Sequence, residues 1–75
     1  MKKLYIKTRN GKVYTITENY GEIRMSENNI SRPAIKFATS VVLTKMPKPE
    51  KGKNCTFRFK GGKISTDYVS AYYYV

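Results

Sequence analysis

The stretch KKLYIKTRNGKVYTIT, residues 2–17, decides the fold. Apolar and polar side chains alternate with a period of two in both of its halves, which is typical of half-buried β-strands. Between the halves lies Asn10-Gly11, the strongest short-range signal for a β-hairpin. The stretch therefore predicts two antiparallel strands, at about residues 3–8 and 12–17.

The turn allows two registers for this hairpin. A three-residue turn, with Gly11 in a β-bulge, pairs Ile6 with Tyr14 and Leu4 with Ile16. A two-residue turn shifts the pairing by one residue and mixes apolar with polar side chains on each face. We prefer the three-residue turn because it leaves one consistently apolar face.

A second hairpin is predicted around Gly61-Gly62. Strands at about residues 55–60 and 63–67 flank a two-residue turn that pairs Phe59 with Ile64. Its inner face is predicted to hold Phe57, Phe59, Ile64 and Tyr68, and its outer face Arg58, Lys60, Lys63 and Ser65.

The chain between the hairpins is less regular. Residues 18–33 carry turn signals at Tyr20-Gly21, so we expect irregular chain with at most a short strand at residues 23–25. Residues 34–46 are predicted as a strand at about 35–44, because β-branched side chains dominate and lose rotamer freedom in a helix. A helix over 34–46, capped by Ser31, is the alternative.

Residues 67–75 (DYVSAYYYV) are predicted as a last strand, with a short helix capped by Thr66 as the alternative. About five strands predict an all-β fold, a small, partly open barrel of the SH3-like or OB type, in one domain spanning residues 1–75. If residues 34–46 are helical, the fold becomes an α+β ββαββ arrangement. The predicted core consists of Leu4, Ile6, Ile16, Phe37, Val41, Leu43, Phe57, Phe59 and Ile64.

Charge is the strongest indication of function. Fifteen Lys and Arg residues against five Asp and Glu residues give a net charge of +10. The excess lies in residues 1–17 and 31–63, while residues 18–30 are slightly acidic. Solubility alone does not require so large a charge, so we expect an anionic partner.

Residues for catalysis or metal binding are scarce. The chain has no histidine, and a single cysteine cannot build a zinc site. Cys55 follows the apolar alternation of its strand and is predicted to be a buried, inert thiol. Glu18, Glu22 and Glu27 are predicted to be solvated loop acids. We therefore expect no enzyme, no metal and no cofactor.

The cellular location is predicted from the cysteine content and the lengths of the apolar segments. One unpaired cysteine favours the reducing cytoplasm. The apolar run Val41–Leu43 is too short to span a bilayer, and the first residues lack the apolar segment of a signal peptide. No membrane partner is expected.

Basic residues interleaved with tyrosine favour a nucleic-acid surface, for DNA or RNA, in which cations follow the backbone and rings stack on bases. In either register, Lys3, Tyr5 and Lys7 lie on the outer face of the first hairpin. Lysine at such positions also protects strand edges from pairing, which is the ordinary alternative. The residues predicted to bind are Lys3, Tyr5, Lys7, Arg9 and Lys12 on the first hairpin and Arg58, Lys60 and Lys63 on the second.

An acidic protein surface, such as the nucleic-acid channel of a larger enzyme, would attract the same charges. The protein would then be a small protein-binding module or inhibitor. Tyr72–Tyr74 would place alternate rings on opposite sides of a strand, where they could pack inward, stack on bases or form a homodimer seam.

Overall fold

Six antiparallel strands close into a barrel in the computed structural model, which describes residues 2–29 and 39–75. Each strand pairs with the next along the chain, and the last pairs with the first. The strands are β1 (Lys2–Thr8), β2 (Lys12–Asn19), β3 (Glu22–Asn29), β4 (Thr39–Leu43), β5 (Asn54–Phe59) and β6 (Gly62–Tyr74). The predicted small all-β barrel is confirmed, with six strands and a closed sheet rather than five strands and a partly open one.

The first hairpin adopts the predicted three-residue turn. Leu4 pairs with Ile16 and Ile6 with Tyr14. Gly11 has a φ of 87°, and its N–H donates to the Thr8 carbonyl at 3.1 Å. A positive φ costs glycine little, which explains why the bulge falls there.

The expectation of irregular chain at residues 18–33 is wrong for the part that the structure describes, which ends at Asn29. Residues Glu22–Asn29 form strand β3. Tyr20 and Gly21 both have positive φ, 53° and 81°, as in the type I′ turn that suits the twist of a hairpin. The turn makes β2 and β3 a full-length pair, from Asn19 opposite Glu22 to Lys12 opposite Asn29. Most of β3 is polar, which hides the fully buried side chain of Met25.

The second hairpin forms, but its predicted register is wrong. Phe59 pairs with Gly62 and Phe57 with Ile64, so the turn consists of Lys60 and Gly61. The Phe59 ring lies over Gly62, with Cζ 3.2 Å from the position that a Cβ would occupy. An aromatic ring that covers a strand glycine replaces the missing side-chain contact and favours this register.

Strand β6 replaces the two segments predicted at 63–67 and 67–75, so the helix alternative capped by Thr66 is wrong. Its first half pairs with β5 and its second half with β1, and the register shifts once against each neighbour. Such β-bulges bend a strand and change which side chains face inward. Thr66 and Val69 are therefore buried, whereas Tyr68, predicted to point inward, is 45% exposed.

The predicted strand is confirmed for residues 39–43, which form β4, so the alternative helix is excluded there. Residues 34–38 of the same prediction lie outside the described chain. Five residues of β4 pair with β3, but a single Cα pair, Leu43 with Phe59, joins it to β5. The Thr44 N–H also donates to the Arg58 carbonyl at 2.8 Å. We call this junction the β4–β5 seam.

The core confirms five of the predicted residues as buried, namely Leu4, Ile6, Ile16, Leu43 and Phe57. Val41, Phe59 and Ile64 are partly buried against them, and Phe37 lies outside the described residues. The core also includes Tyr14, Met25, Cys55 and Val69. Among residues 2–29 and 39–75, no helix has the length and apolarity needed to cross a membrane.

Candidate nucleic-acid interface

The outer surface of β1 carries a pair of stacked tyrosines. Because β1 pairs with β6, Tyr5 lies opposite Tyr73, and the ring centroids are 5.0 Å apart with an interplanar angle of 29°. Tyr73 is 60% exposed. We define the β1 face as Tyr5, Tyr73, Lys3 and Lys7. Sequence reasoning named Tyr72–Tyr74 as rings that could stack on bases but did not place Tyr73 beside Tyr5, because nothing local to residues 72–74 indicates which strand they pair with.

Two lysines flank this stack. The ammonium of Lys3 lies 5.6 Å from the centre of the Tyr5 ring, within the range of a cation–π contact. On the other side, Lys7 borders an apolar depression of about 220 Å³ that both rings also line, together with Val13 and Ala71. The β1 face therefore combines positive charge, flat aromatic surface and a shallow recess.

Arg9 and Lys12, predicted to belong to the same surface, are held in ion pairs. Arg9 Nη2 lies 3.0 Å from Asp67 Oδ1, and its guanidinium is 4.6 Å from the centre of the Tyr68 ring. Lys12 Nζ lies 3.2 Å from Glu27 Oε2 on β3. Asp67 and Glu27 offset the charges of Arg9 and Lys12, so the positive electrostatic potential of the β1 face comes from Lys3 and Lys7.

The Asp67 carboxylate is held by more than the arginine. The Tyr68 N–H donates to Asp67 Oδ1 at 2.7 Å, and this hydrogen bond, ahead of the Arg9 contacts, lowers the pKa of Asp67 below its usual range. The carboxylate thus keeps its charge to lower pH than an ordinary aspartate, and it holds Arg9 beside Tyr68.

The second predicted basic set occupies another part of the barrel. Arg58 on β5 lies opposite Lys63 on β6, and Lys60 is in the turn between these strands. Lys7 instead lies opposite Ala71. Lys63 and Ala71 are eight residues apart on β6, about 25 Å along an extended strand. The structure therefore does not bring the two predicted sets together.

Two of the three remaining acids also form ion pairs. Glu22 pairs with Arg24 at 3.1 Å and Glu50 with Lys53 at 3.1 Å. Within the described segments, the cations that make no ion pair are Lys2, Lys3, Lys7, Lys45, Lys48, Lys51, Arg58, Lys60 and Lys63. No group of three or more acidic or cysteine side chains in those segments could hold a metal ion.

A second concavity lies at the β4–β5 seam and is hereafter called the seam cavity. It measures about 570 Å³ and lies between β5 and the loop that follows β4. Three cations line it, Lys45, Lys48 and Arg58, and Cys55 forms part of its wall. The thiol is buried as predicted, and burial raises the pKa of Cys55. Sequence reasoning missed this site because Lys45 and Arg58 are distant in sequence, and only the folded barrel places both of them along one cavity.

The terminal tyrosines are divided between the two sides of β6. Tyr72 packs against the core, and its ring meets that of Tyr74 edge to face at a centroid distance of 6.1 Å. Tyr74 is exposed. The homodimer seam expected at these residues stays a prediction. No protein-family model, curated protein or solved structure matches this chain.

Proposed function

We propose that this protein is a non-catalytic nucleic-acid-binding protein that engages DNA or RNA through the β1 face. The observation that carries the proposal is the Tyr5–Tyr73 stack between Lys3 and Lys7, in which Tyr73 is exposed and Tyr5 half-buried. Neither lysine forms an ion pair with a described acid. The rings would stack on bases, and the lysines would contact the phosphate backbone.

Small barrels bind single strands through a combination of aromatic stacking and positive charge. Bases stack on aromatic rings held by a rigid sheet, at about 1–3 kcal/mol per base, and cations beside the rings neutralise phosphates. Tyr5 and Tyr73 are fixed on adjacent paired strands, so little conformational freedom remains to be lost on binding. Phosphate contacts carry no sequence information, so we expect broad sequence tolerance.

The charge part of the proposal is tested by titrating single- and double-stranded oligonucleotides at several salt concentrations. If four to six phosphates are neutralised, log affinity should fall against log salt with a slope of about −3 to −5, shallower for single strands. The double variant Lys3→Glu with Lys7→Glu should bind more weakly and with a flatter slope. Lys60→Glu with Lys63→Glu changes the net charge equally and is the matched control.

The stacking part is tested with tyrosine variants. Tyr5→Ala or Tyr73→Ala should weaken single-strand binding by about 5- to 150-fold, which corresponds to about 1–3 kcal/mol, and leave the salt slope nearly unchanged. Tyr5→Phe keeps the ring and should bind like the parent. Tyr20→Asn removes a fully exposed tyrosine from the β2–β3 turn, away from the β1 face, and should have no effect on binding.

Two outcomes would contradict the proposal. If the folded parent binds no oligonucleotide at low salt, the positive charge serves an acidic protein surface instead, and pull-down from nuclease-treated lysate should capture that partner. If the control pair at Lys60 and Lys63 weakens binding more than the Lys3 and Lys7 pair, the interface lies on the second hairpin.

A further inference from the structure

The seam cavity exists because β4 and β5 are barely paired. After Thr44 the chain stops pairing with β5, and its next strand-like pairing with the barrel is the bridge between Lys51 and Val69. There the Gly52 N–H donates to the Val69 carbonyl at 2.9 Å. Both ends of the loop are thus held by backbone hydrogen bonds, and Met46 between them packs against the core.

Buried prolines keep the loop in this position. Pro47 and Pro49 are both buried, and Pro47 also lines the cavity. A proline has no N–H and cannot continue a β-ladder, so this segment does not close the seam by pairing with β5. The prolines of the loop therefore keep the seam cavity from being closed by strand pairing.

The lining of the seam cavity is suited to an anion. Lys45, Lys48 and Arg58 border it, its lining includes no acid, and none of the three makes an ion pair with an acid of the described chain. Peptide groups alternate in direction along a strand, so the Thr56 N–H points to the same side as the Arg58 carbonyl, toward the seam.

We propose that the seam cavity is a second binding site, specific for a phosphate group of a nucleotide, either a terminal phosphomonoester or a phosphodiester within a strand. Arginine binds phosphate oxygens through a planar fork of donors, and lysine adds point charge. The volume of about 570 Å³ falls in the range of small-ligand sites. This inference does not depend on the β1 face.

The chain offers a reporter for this site. Cys55 is the single cysteine and lines the cavity, but its thiol is buried, so alkylation by iodoacetamide requires local opening of the seam and should slow further when the cavity is occupied. At a ligand concentration ten times Kd, about one-tenth of the sites are free, so the rate should fall about tenfold. A nucleoside monophosphate should protect the thiol, and sodium chloride at equal ionic strength should not.

Two ligands distinguish the sources of phosphate. Protection by a nucleoside monophosphate but not by a dinucleoside monophosphate, which has only a phosphodiester, would assign the site to terminal phosphates. Protection by both would assign it to the strand backbone as well. Equal protection by inorganic phosphate at similar concentration would contradict a site specific for nucleotides. Either of the first two outcomes supports the proposal.

The variant test separates the seam cavity from the β1 face. Lys48→Gln with Arg58→Gln should abolish protection, whereas Lys3→Gln with Lys7→Gln should preserve it. The amide chemical shifts of Thr56 and Arg58 provide a second measurement if the thiol reacts too slowly in every sample. The proposal is wrong if no phosphate ligand protects Cys55 or shifts these amides, or if the Lys48 and Arg58 variant responds like the parent.

Discussion

Thr66 is predicted to hold the bend in β6 through its hydroxyl group. The side chain is 4% exposed and lies where the β5–β6 register shifts. Its Oγ1 accepts a hydrogen bond from the Cys55 N–H at 3.0 Å and donates one to the Asp67 carbonyl at 2.7 Å. The hydroxyl thus provides the Cys55 N–H with a hydrogen-bond acceptor at the bulge.

Thr66→Val replaces the hydroxyl by a methyl group of similar size and leaves the Cys55 N–H buried without its acceptor. An unsatisfied buried donor costs about 1–3 kcal/mol. A chain of 75 residues is stable by about 4–11 kcal/mol in total, so this loss is a large fraction. A loss of about 2 kcal/mol should lower Tm by about 8–16 °C in a domain of this size.

Urea unfolding followed by far-ultraviolet circular dichroism measures the effect. Thr66→Ser keeps the hydroxyl and should lose only about 1 kcal/mol for the missing methyl group. Thr56→Val, at an exposed position of the same hairpin, should stay within about 0.5 kcal/mol of the parent. If Thr66→Val is more stable than Thr66→Ser, packing rather than hydrogen bonding holds the bulge, and our reasoning about the bend is refuted.

Three further predictions concern the barrel. Phe57→Ala should cost about 3–5 kcal/mol because the side chain is fully buried, and Phe59→Ala should cost less because Phe59 is partly exposed; equal losses in urea unfolding would contradict this order. Tyr20→Asn should stabilise the protein by about 0.5–1 kcal/mol in thermal unfolding, since asparagine tolerates the positive φ of that turn better. Burial, followed by the charge of Glu27, raises the pKa of Tyr14 from 10.0 to about 12. The folded state therefore holds the phenolic proton more tightly, so this contribution to stability is complete below pH 10 and is lost as the pH rises to 12. Tyr14→Phe should remove that part of the alkaline decline in unfolding experiments, and an unchanged decline would contradict the assignment.

Local signals account for the parts of the fold that were predicted correctly. Asn10-Gly11 determines the first hairpin, and the apolar alternation around it selects the register with Leu4 opposite Ile16. Strand β3 was missed because tyrosine is an unusual residue for positive φ, so Tyr20-Gly21 indicated a turn but not a hairpin. The predicted register of the second hairpin was wrong because the alternation of apolar and polar residues does not indicate that the Phe59 ring lies over Gly62.

The candidate site was partly predictable for the same reason. Alternation alone places Lys3, Tyr5 and Lys7 on one outer face, and the structure agrees. The partners of these residues come from distant parts of the chain. Tyr73 reaches Tyr5, and Asp67 reaches Arg9, only because β6 pairs with β1, and its register depends on bulges that local patterns do not reveal.

The pairing of β1 with β6 also has a consequence for how the protein is made. One edge of β1 pairs with β2, and the other stays unpaired until residues 69–74 of β6 have been synthesised. Contacts so distant in sequence slow folding. During synthesis, β1–β3 can form a meander early, yet the open edge of β1 and the apolar side of the sheet remain accessible until β6 leaves the ribosome. Lysines on β1 would repel other nascent copies during that interval, so the charges that we propose contact nucleic acid would also protect the growing chain from aggregation.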